Sequence, residues 1–485
     1  MKKALVFFTP LILLAVFAFR PSKSEQLNFL FIIADDLRPE LGTYGAKHIQ
    51  SPNIDKLAAS GAVFERAYCN IPVCGASRAS FLSGIRPARH RFYSAYDYLN
   101  EQYPGAISMP RLFKQNGYTT ISNGKVFHHK KDEADAWDEI WEASSSNQHD
   151  YYSKDNQTLA SVEGQRGRPF EDMAPSDLDY KDGKIAQKAI EDLRKLKKSG
   201  KPFFLTLGFH KPHLPFNAPK KYWDLYDINN IHLPANYVQP ESTPKQAFHN
   251  SGELRNYYDV PKQGDVSEEM AKKLIHGYYA SVSYVDAQIG KVLEELGASG
   301  MDKNTVVLLI GDHGWNLGDH RMWNKHCNFS SSLTTPLIVR VPDQAAGLRV
   351  KEIVEFVDIF PTFCELAGFT PPQTLQGESL SPLLAQKTRQ KNYAIARWNT
   401  GWTLVKDQLF YTEWVDQKDK VLQKMLFDHQ TDPLELNNLA NQPGYQEKIV
   451  ELSGILRQNR GADFDLDRRA EKVETNHTRP VNSNK

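Results

Sequence analysis

Three nearly continuous apolar runs divide the chain, and each of them ends in polar side chains. The runs cover residues 27–34, 202–209 and 305–311 and are rich in β-branched and aromatic residues. Apolar runs of this length without polar alternation predict strands that are covered on both faces. Helical patterns lie between the runs, at residues 180–198 and 268–296. This alternation predicts an α/β fold in which a mainly parallel sheet is flanked by helices.

The polar side chains that follow these runs are the first candidates for chemistry. Asp35 and Asp36 follow the first run, residues 210–213 (His-Lys-Pro-His) follow the second, and Asp312 and His313 follow the third. Ligand sites in open α/β sheets lie beyond the carboxyl ends of the strands. We therefore expect the three clusters to meet at one edge of the sheet.

The remaining chain divides into polar segments and a distinct carboxyl-terminal part. Residues 132–179 and 234–264 lack strong periodicity, which predicts surface loops, and the second loop could border a substrate cleft. Beyond residue 384, residues 392–406 and 407–415 alternate like antiparallel strands. A helical pattern follows at 446–457, and the tail from Arg468 onward is polar and predicted to be loose.

These patterns predict two domains after an amino-terminal signal. The apolar run at residues 4–19 follows two lysines and is short for a membrane span. It predicts a secretory signal over residues 1–24 and export to the periplasm or the exterior, with an uncleaved anchor as the alternative. The domains are then predicted to be a catalytic domain over 25–384 and a smaller α+β subdomain over 385–485, an antiparallel sheet plus a helix.

Composition narrows the classes of partner. The 485 residues carry a net charge of +1, so no long-range field attracts nucleic acid. We expect no nucleic-acid partner and no stable membrane partner. The four cysteines lack metal-site spacing. A bridge between Cys69 and Cys74 remains an alternative to a functional role for Cys74.

The stretch from Cys74 to Arg78 (Cys-Gly-Ala-Ser-Arg) is the most informative local motif. Ser77 is predicted to cap the start of a helix, whose free N–H groups favour an anion. Arg78 adds a planar cationic fork suited to sulfate oxygens. Taken alone, the motif also fits a buried structural cysteine beside an ordinary helix.

With Ser83 and Gly84 following, this stretch resembles the signature of the type I sulfatases, Cys-x-Pro/Ala-Ser-Arg with a later Thr/Ser-Gly. Ala76 stands where many members have proline. The resemblance implies that a formylglycine-generating maturation enzyme oxidises Cys74 to formylglycine (3-oxoalanine). The hydrated aldehyde is then the nucleophile, and the modified residue also binds the metal.

The acidic pairs suggest the metal. Asp35, Asp36, Asp312 and His313 offer three carboxylates and an imidazole, a donor set that suits Ca²⁺ or Mg²⁺. Either pair alone would also fit a helix cap or a turn. Together with the cysteine motif they resemble the calcium site of sulfatases. An Asp-His pair, where many sulfatases have Asp-Asn, resembles the iduronate-2-sulfatase branch.

Further segments resemble the same branch, and together they extend the likeness over roughly residues 27–440. The segments are residues 35–45, 124–128, 210–216, 323–329 and the closing motif at 427–439. The resemblance implies an alkaline-phosphatase-like fold.

The resemblance also implies roles for the basic side chains. Lys125 would hold the sulfate and the formylglycine, and His128 would act as the base that removes a proton from the second hydroxyl. The two lie three residues apart and would share a face if that stretch is helical. His213 and Lys325 would assist the leaving alkoxide. Arg78 would complete the electrostatic clamp.

Other residues are candidates for sugar binding. His210 is predicted to contact substrate, and Trp315 either stacks on a sugar ring or packs in the core. A basic and aromatic stretch either contacts an anionic sugar or forms a solvated loop. Its residues are Arg86, Arg89, His90, Arg91, Phe92, Tyr93, Tyr96 and Tyr98.

The sequence therefore predicts an exported sulfatase that hydrolyses sulfate esters of an acidic carbohydrate. The expected substrate is a sulfated oligosaccharide from a glycosaminoglycan or an algal polysaccharide such as ulvan, carrying a uronate 2-O-sulfate or a neighbouring sugar sulfate. The alternatives are a phosphomonoesterase or phosphonate hydrolase of the alkaline-phosphatase superfamily, and a non-catalytic glycan-binding module.

Overall fold

A computed structural model describes residues 26–144, 150–173 and 175–460. The predicted signal over residues 1–24 and the tail from Arg468 onward lie outside the described residues.

The described chain alternates strands and helices along most of its length. The strands are β1 Asn28–Ala34, β2 Ala62–Tyr68, β3 Thr119–Gly124, β4 Glu139–Trp141, β5 Phe170–Glu171, β6 Phe203–Phe209, β7 Phe216–Asn217, β8 Thr305–Gly311, β9 Asn316–Leu317, β10 Trp323–Asn324, β11 Leu337–Arg340, β12 Leu348–Glu355, β13 Tyr393–Trp398, β14 Gly401–Lys406, β15 Leu409–Val415 and β16 Val421–Asp428. The helices are α1 Pro52–Ala59, α2 Cys74–Ser83, α3 Leu99–Gln102, α4 Met109–Gln115, α5 Lys154–Ala160, α6 Lys181–Ser199, α7 Lys220–Trp223, α8 Glu268–Ala298, α9 Ser330–Leu333, α10 Ile359–Ala367, α11 Ser381–Leu384 and α12 at 446–460.

Eight strands of the described chain form the central sheet, in the order β12-β2-β11-β8-β1-β6-β3-β4. β1 pairs in parallel with both β6 and β8, and β3 and β4 continue the parallel arrangement. β11 runs antiparallel to β8 and β2. The predicted mainly parallel sheet is confirmed, and the three predicted apolar runs are its neighbouring strands β8, β1 and β6.

The apolar runs are continuous because both faces of the sheet are covered. Along β1, Phe29 and Phe31 belong to one apolar core, whereas Leu30 and Ile32 belong to the core on the opposite face. Residues of α2 and α10 contribute to the first core, and residues of α6 and α8 contribute to the second. Alternate side chains of a strand point to opposite faces, so each face needs its own apolar set.

The carboxyl-terminal part is an antiparallel sheet plus a helix, as predicted. Strands β13 to β16 form a four-stranded meander, and α12 contributes apolar side chains to the core that it shares with this sheet. One detail was wrong, because residues 392–406 form two strands rather than one. β13 and β14 are separated by a tight turn in which Asn399 has a φ of +51°.

The predicted loops are only partly irregular. Residues 132–179 include β4, α5 and β5, whereas 234–264 forms neither a strand nor an α-helix. No helix within residues 26–144, 150–173 or 175–460 combines enough length and apolarity to cross a bilayer.

Candidate active site

The candidate site lies where β1, β6 and β8 end. Ala34 is in register with Phe209 on one side and Gly311 on the other, so the polar residues after each strand meet. Asp36 adopts the left-handed region, with a φ of +64°, and its N–H donates to Asp312 Oδ1 at 3.0 Å. The predicted gathering of the three polar clusters at one edge of the sheet is what the structure shows.

A buried group of potential metal ligands forms this edge. Ligand atoms of Asp35, Cys74, Asp312 and His313 all lie within 4.8 Å of one another. Asp36 adjoins them, and its buried Oδ1 accepts no hydrogen bond, although Lys325 Nζ lies 3.2 Å away. Three buried carboxylates, one of which has an oxygen that accepts no hydrogen bond, are a donor set that fits a hard divalent cation.

The two neighbouring aspartates differ in the direction in which their pKa values are shifted. Burial alone raises the pKa of Asp35, but Lys125 and His213 outweigh it and hold that pKa well below the ordinary value. For Asp36, burial prevails over Lys325, so its pKa is raised. A positive ion bound among these side chains would therefore favour the ionised form of Asp36 more than that of Asp35.

Helix α2 places Cys74 in this cluster and corrects the prediction for Ser77. The helix begins at Cys74 after Val73, so Ser77 lies inside the first turn and is not the cap. Its hydroxyl instead donates to the backbone oxygen of Asp312 at 2.6 Å. Cys74 thus lies at the helix start, where free N–H groups favour an anion.

The position of α2 depends on a glycine. A Cβ on Gly75 would lie 2.2 Å from the backbone oxygen of Ala95, so no larger residue fits without a shift.

Cys74 as a thiol is a poor nucleophile in this setting. Its Sγ lies 3.2 Å from His313 Nε2 and is buried. Burial, and then the charge of Asp35, raise the pKa of the Cys74 thiol well above its ordinary value. Because the thiolate is the reactive form, this raised pKa disfavours an unmodified Cys74 as a nucleophile. All four cysteines lie in the described chain and are free, so the alternative bridge to Cys69 is not formed.

Arg78 is completely buried and directed at protein acceptors. Its Nε donates to Asp312 Oδ2 at 2.9 Å, and Nη2 lies 3.4 Å from Asp35 Oδ1. Nη1 bonds the backbone oxygens of Lys125 and Val126. These contacts differ from the predicted sulfate fork, because they use the guanidinium to hold the carboxylates and the end of β3 in place.

Lys125 and His128 lie beside the acidic group without sharing a helix. Lys125 follows directly after β3 in a bend, so the helical face suggested by their spacing is not present. Lys125 Nζ forms an ion pair with Asp35. Burial, then the charge of Lys125, lower the pKa of His128 to about 2. The buried Nδ1 of this neutral imidazole has no hydrogen-bond partner.

Both side chains open onto a cavity of about 360 Å³. The cavity is lined by Asp35, Gly124, Lys125, His128, Glu142, Ala143, Asp150, Tyr180, Lys181, Asp182, His210, Lys211, His213, Leu214, Pro215 and Tyr284.

His213 forms the opposite wall as a charged donor. Its Nδ1 lies 2.6 Å from the backbone oxygen of Leu214, and Nε2 lies 3.0 Å from Glu253 Oε1. Since both ring nitrogens face acceptors, the arrangement requires the doubly protonated imidazolium. Burial alone lowers the pKa of His213, but Asp36, Asp35 and Glu253 together raise it above the ordinary value.

Lys325 stands next to His213 and shares its partner. Lys325 Nζ lies 2.8 Å from Glu253 Oε2 and 3.2 Å from Asp36 Oδ1. Sequence reasoning missed Glu253, which comes from the irregular segment 234–264. No local motif marks this glutamate, and only the tertiary structure brings it to the two cations.

The two residues predicted to bind sugar are placed differently. His210 lines the cavity, and its backbone N–H donates to Asp182 Oδ1 at 2.8 Å. Trp315 is 1% exposed and does not line the cavity. Its ring packs on Phe216 and lies 5.0 Å from Lys325 Nζ. The predicted sugar contact of Trp315 is therefore corrected, since its ring supports Lys325 from within the core.

Sequence profiles of two known families match the chain. The profile of the family described as Sulfatase matches residues 27–369. A profile described as N-sulphoglucosamine sulphohydrolase, C-terminal, matches residues 318–462.

Individual proteins agree with the profiles. Mouse iduronate 2-sulfatase is 36% identical over 391 residues, which cover 72% of this chain and 70% of that protein. A solved structure in complex with its substrate D-glucosamine-2-N,6-O-disulfate superposes with a TM-score of 0.73 at 22% identity, covering 91% of this chain and 98% of that chain. The phosphonate monoester hydrolase of Agrobacterium radiobacter gives a TM-score of 0.75 at 21% identity, covering 90% and 96%.

The mainly parallel sheet and the acidic, cysteine-containing cluster at its carboxyl edge define the fold class and the candidate site of this α/β protein. The chain belongs to the sulfatase family, as the profile over residues 27–369 and the identity to iduronate 2-sulfatase show. The predicted resemblance is confirmed, and the enzyme is a sulfuric ester hydrolase.

Proposed function

We propose that this enzyme hydrolyses sulfate esters of an acidic sulfated carbohydrate, using formylglycine derived from Cys74 and one Ca²⁺, with Mg²⁺ as the alternative ion. The convergence of Asp35, Cys74, Asp312 and His313 within 4.8 Å carries the proposal. The names of two similar proteins support the substrate class, since one is an iduronate 2-sulfatase and the other was solved with a glucosamine disulfate.

The proposed metal is held by the buried acidic group. Its ligands would be Asp35, Asp36, Asp312, His313 and residue 74. When bound, such an ion polarises sulfate oxygens and lowers the pKa of a coordinated hydroxyl. Arg78 keeps Asp35 and Asp312 in place from behind, because it bonds both carboxylates from a fully buried position.

The proposed formylglycine accounts for a cysteine at this position although the raised pKa of its thiol disfavours the thiolate. The modified residue supplies a hydrated aldehyde, whose hydroxyl is a nucleophile that the buried thiol is not. The start of α2 offers N–H groups there, and His313 Nε2 faces the same side-chain position at 3.2 Å. We propose that the formylglycine-generating enzyme acts before the chain folds, since Cys74 is only 4% exposed.

Lys125 and His128 are proposed to serve the sulfate side of the cavity. Lys125 carries its charge into the cavity while remaining paired with Asp35, so it can bind a sulfate oxygen. The lowered pKa keeps His128 neutral, and its buried Nδ1 has no hydrogen-bond partner. The negative charge of a bound sulfate would raise this pKa, so that the ring can take up a proton.

His213 and Lys325 are proposed to serve the leaving group. A sugar alkoxide needs a proton or a cation as the bond to sulfur breaks. His213 holds a proton on Nε2, and Lys325 adds a buried positive charge beside it. Glu253 keeps both groups charged and oriented, so it is proposed as a positioning residue.

We also propose a location, a domain division and a source of substrate for the enzyme. The leader at residues 1–24 supports export to the periplasm or the exterior. We propose that the chain divides into a catalytic domain over residues 25–384 and an α+β subdomain over residues 385–485. A glycosaminoglycan or an algal polysaccharide such as ulvan is the proposed source of the sulfated oligosaccharide.

The test measures hydrolysis of two sulfate esters by protein that is produced with and without the maturation enzyme. We expect nitrophenyl sulfate and a sulfated glycosaminoglycan disaccharide to be hydrolysed only by matured protein, with formylglycine at position 74 in its peptide mass spectrum. Cys74→Ala is the matched control and should be inactive. Full activity of Cys74→Ala would refute the mechanism.

A phosphonate hydrolase is the second candidate, because the fold match to the Agrobacterium radiobacter enzyme is as good as that to the structure solved with a glucosamine disulfate. A phosphonate monoester in the same assay decides between them. Faster turnover of the phosphonate than of the sulfates, or two tightly bound zinc ions per chain, would favour this second class.

A further inference from the structure

His213, the group proposed to protonate the leaving alkoxide, lies in a turn and not in a strand or a helix. The turn covers residues 210–215, directly after β6. It is closed by the N–H of His213, which donates to the backbone oxygen of His210 at 3.0 Å. A loop has no regular ladder of hydrogen bonds to fix its side chains. The direction of the His213 ring therefore depends on the contacts that hold the turn.

The side chain of Lys211 holds this turn from within. Its Nζ donates to the backbone oxygen of His213 at 3.2 Å and to that of Pro215. The backbone oxygen between them, that of Leu214, lies 2.6 Å from His213 Nδ1. One ammonium group therefore fixes the carbonyls on both sides of the carbonyl that the imidazole ring bonds.

Asp182 holds the start of the same turn from α6. Its Oδ1 accepts the N–H of His210 and its Oδ2 accepts the N–H of Lys211, both at 2.8 Å. Asp182 is 1% exposed and lies in the first turn of its helix. A buried charged side chain thus binds each end of the turn, and His213 lies between the two.

The burial of Lys211 is costly. The residue is 7% exposed at the wall of the catalytic cavity, and both hydrogen bonds of its Nζ go to backbone oxygens of its own turn. Burial lowers the pKa of Lys211 to about 8, although the charge of Asp182 opposes that shift. Lysines are rarely buried to this extent, because removing the charge from water costs free energy. Fixing the turn that carries His213 gives this cost a function.

We propose that Lys211 and Asp182 are positioning residues, which hold the turn so that the His213 ring directs Nε2 at Glu253 and at the leaving group. This role rests on the proposed function, because it concerns the protonation that is assigned to His213. Lys211 acts through backbone oxygens and Asp182 through backbone N–H groups, so neither of them has to touch the substrate.

The kinetic test measures how turnover depends on the leaving group. Lys211→Met keeps the apolar stem of the side chain and removes both bonds to the turn. With a sulfated glycosaminoglycan disaccharide, kcat should fall by about 10- to 100-fold with little change in KM, because a misplaced acid protonates the alkoxide poorly. In a series of aryl sulfates, the loss should grow with the pKa of the leaving phenol, and nitrophenyl sulfate should lose least.

Two further variants accompany Lys211→Met. Lys181→Met is the matched control, because it removes a lysine from the wall of the same cavity whose ion pair is with Asp150 and not with the turn. It should leave the dependence on the leaving group unchanged. Asp182→Asn removes one of the two acceptors at the start of the turn and should reproduce the pattern of Lys211→Met more weakly. Melting curves check the folding of each variant, and Asp182→Asn decides if Lys211→Met does not fold.

A double-mutant cycle tests whether Lys211 acts through His213. In protein that already carries His213→Ala, adding Lys211→Met should lower kcat by less than about twofold, because residues that act through one group are not additive. A second loss as large as the first would overturn the proposal. A raised KM with unchanged kcat in Lys211→Met would overturn it as well, since it would make this lysine a substrate contact.

A measurement without turnover keeps the positioning role separate from the proposed activity. In protein with nitrogen-labelled histidine, the NMR signals of the His213 ring are assigned by their absence from His213→Ala. They should move in Lys211→Met and stay in place in Lys181→Met, because only the first variant releases the turn. Wild-type protein that hydrolyses no sulfate ester would contradict the proposed function, and these spectra would still decide whether Lys211 positions the ring. Unmoved signals in Lys211→Met would show that it does not.

Discussion

Glu253 determines the charge of the two cations on the leaving-group side of the cavity. It accepts from His213 Nε2 at 3.0 Å and lies 2.8 Å from Lys325 Nζ. Burial alone raises the pKa of Glu253, but Lys325 and His213 outweigh it and hold that pKa well below the ordinary value. The glutamate therefore remains ionised and favours the imidazolium form of His213.

We predict that Glu253→Gln slows hydrolysis of sugar sulfates by about 10- to 100-fold near neutral pH. The raised pKa of His213 means that its proton is held below that pKa and lost as pH rises through it. Removing the negative charge lowers this pKa, so the alkaline limb of the kcat profile should move to lower pH. Kinetics with sugar and aryl sulfates over a range of pH measure the shift.

Aryl sulfates and Glu253→Asp are the controls for this variant. A phenolate leaves readily without a proton, so the aryl substrate should lose much less, and aspartate should restore part of the rate. Equal losses on both substrates with an unmoved alkaline limb would show that Glu253 has no part in leaving-group protonation.

At the scale of elements, the close approach of β6 to the end of β3 places Lys125. The Lys125 N–H donates to the backbone oxygen of Gly208 at 2.8 Å. A Cβ on Gly208 would lie 1.9 Å from the backbone oxygen of Lys125. Only glycine allows this contact, and the position of the lysine depends on it.

We predict that Gly208→Ala lowers kcat/KM by about 100-fold, because a misplacement of about 1 Å in a catalytic group has an effect of that size. Steady-state kinetics on nitrophenyl sulfate measure the loss. Gly297→Ala in α8 is the control, since a Cβ there meets no atom within 4 Å. Comparable activity in the two variants would contradict the assigned role of Lys125.

A buried ion-pair cluster is centred on Glu355 of β12. Glu355 is paired with Arg86 and Lys391, and all three are largely or fully buried. Burial alone raises the pKa of Glu355, but the two cations lower it well below the ordinary value. Its stabilising effect is therefore present above the unfolded pKa of a glutamate, and it is lost as pH falls.

We predict that Glu355→Gln lowers the free energy of unfolding by about 3 kcal/mol at neutral pH, since it removes the carboxylate partner of the buried Arg86 and one of the two carboxylate partners of Lys391. Chemical denaturation measures the loss, which should shrink in acid. Glu65→Gln is the control, because the pair of Glu65 with Arg349 is exposed and is expected to contribute less than about 1 kcal/mol. A loss no larger than that of the control would contradict the prediction.

At the scale of the whole molecule, the proposed metal would link activity to stability. Two strands, β1 and β8, end in three carboxylates that are buried together, and a divalent ion would offset their repulsion only in the folded state. Any ligand that binds only the folded protein raises its stability with concentration.

We predict that a chelator abolishes turnover and lowers the melting temperature, and that Ca²⁺ restores both. Each tenfold rise of Ca²⁺ above its dissociation constant should add about 1.4 kcal/mol of stability. Calorimetry over a Ca²⁺ series measures the effect, and Asp312→Asn should show little dependence. A melting temperature that changes with neither the chelator nor Ca²⁺ would contradict the proposed metal site.

The sequence by itself determined the central strands and the ligand edge. β1, β6 and β8 were predicted because burial on both faces requires a continuous apolar run, which is visible without any partner. Asp35, Asp312 and His313 were predicted to lie at this edge because they directly follow the apolar runs in the sequence. The signature at Cys74 indicated the sulfatase family for the same reason, since its residues are adjacent in the chain.

Only the tertiary structure decided which polar side chains face the cavity. Arg78 and Trp315 were expected to contact substrate, but they are buried beneath the site, whereas Glu253 came from a segment without any pattern. The direction of a side chain depends on the elements that pack around it, and for Glu253 those partners lie 40 and 72 positions away in the chain. Packing between distant segments leaves no periodicity in the sequence. The orientation of these side chains could therefore be read only from the folded structure.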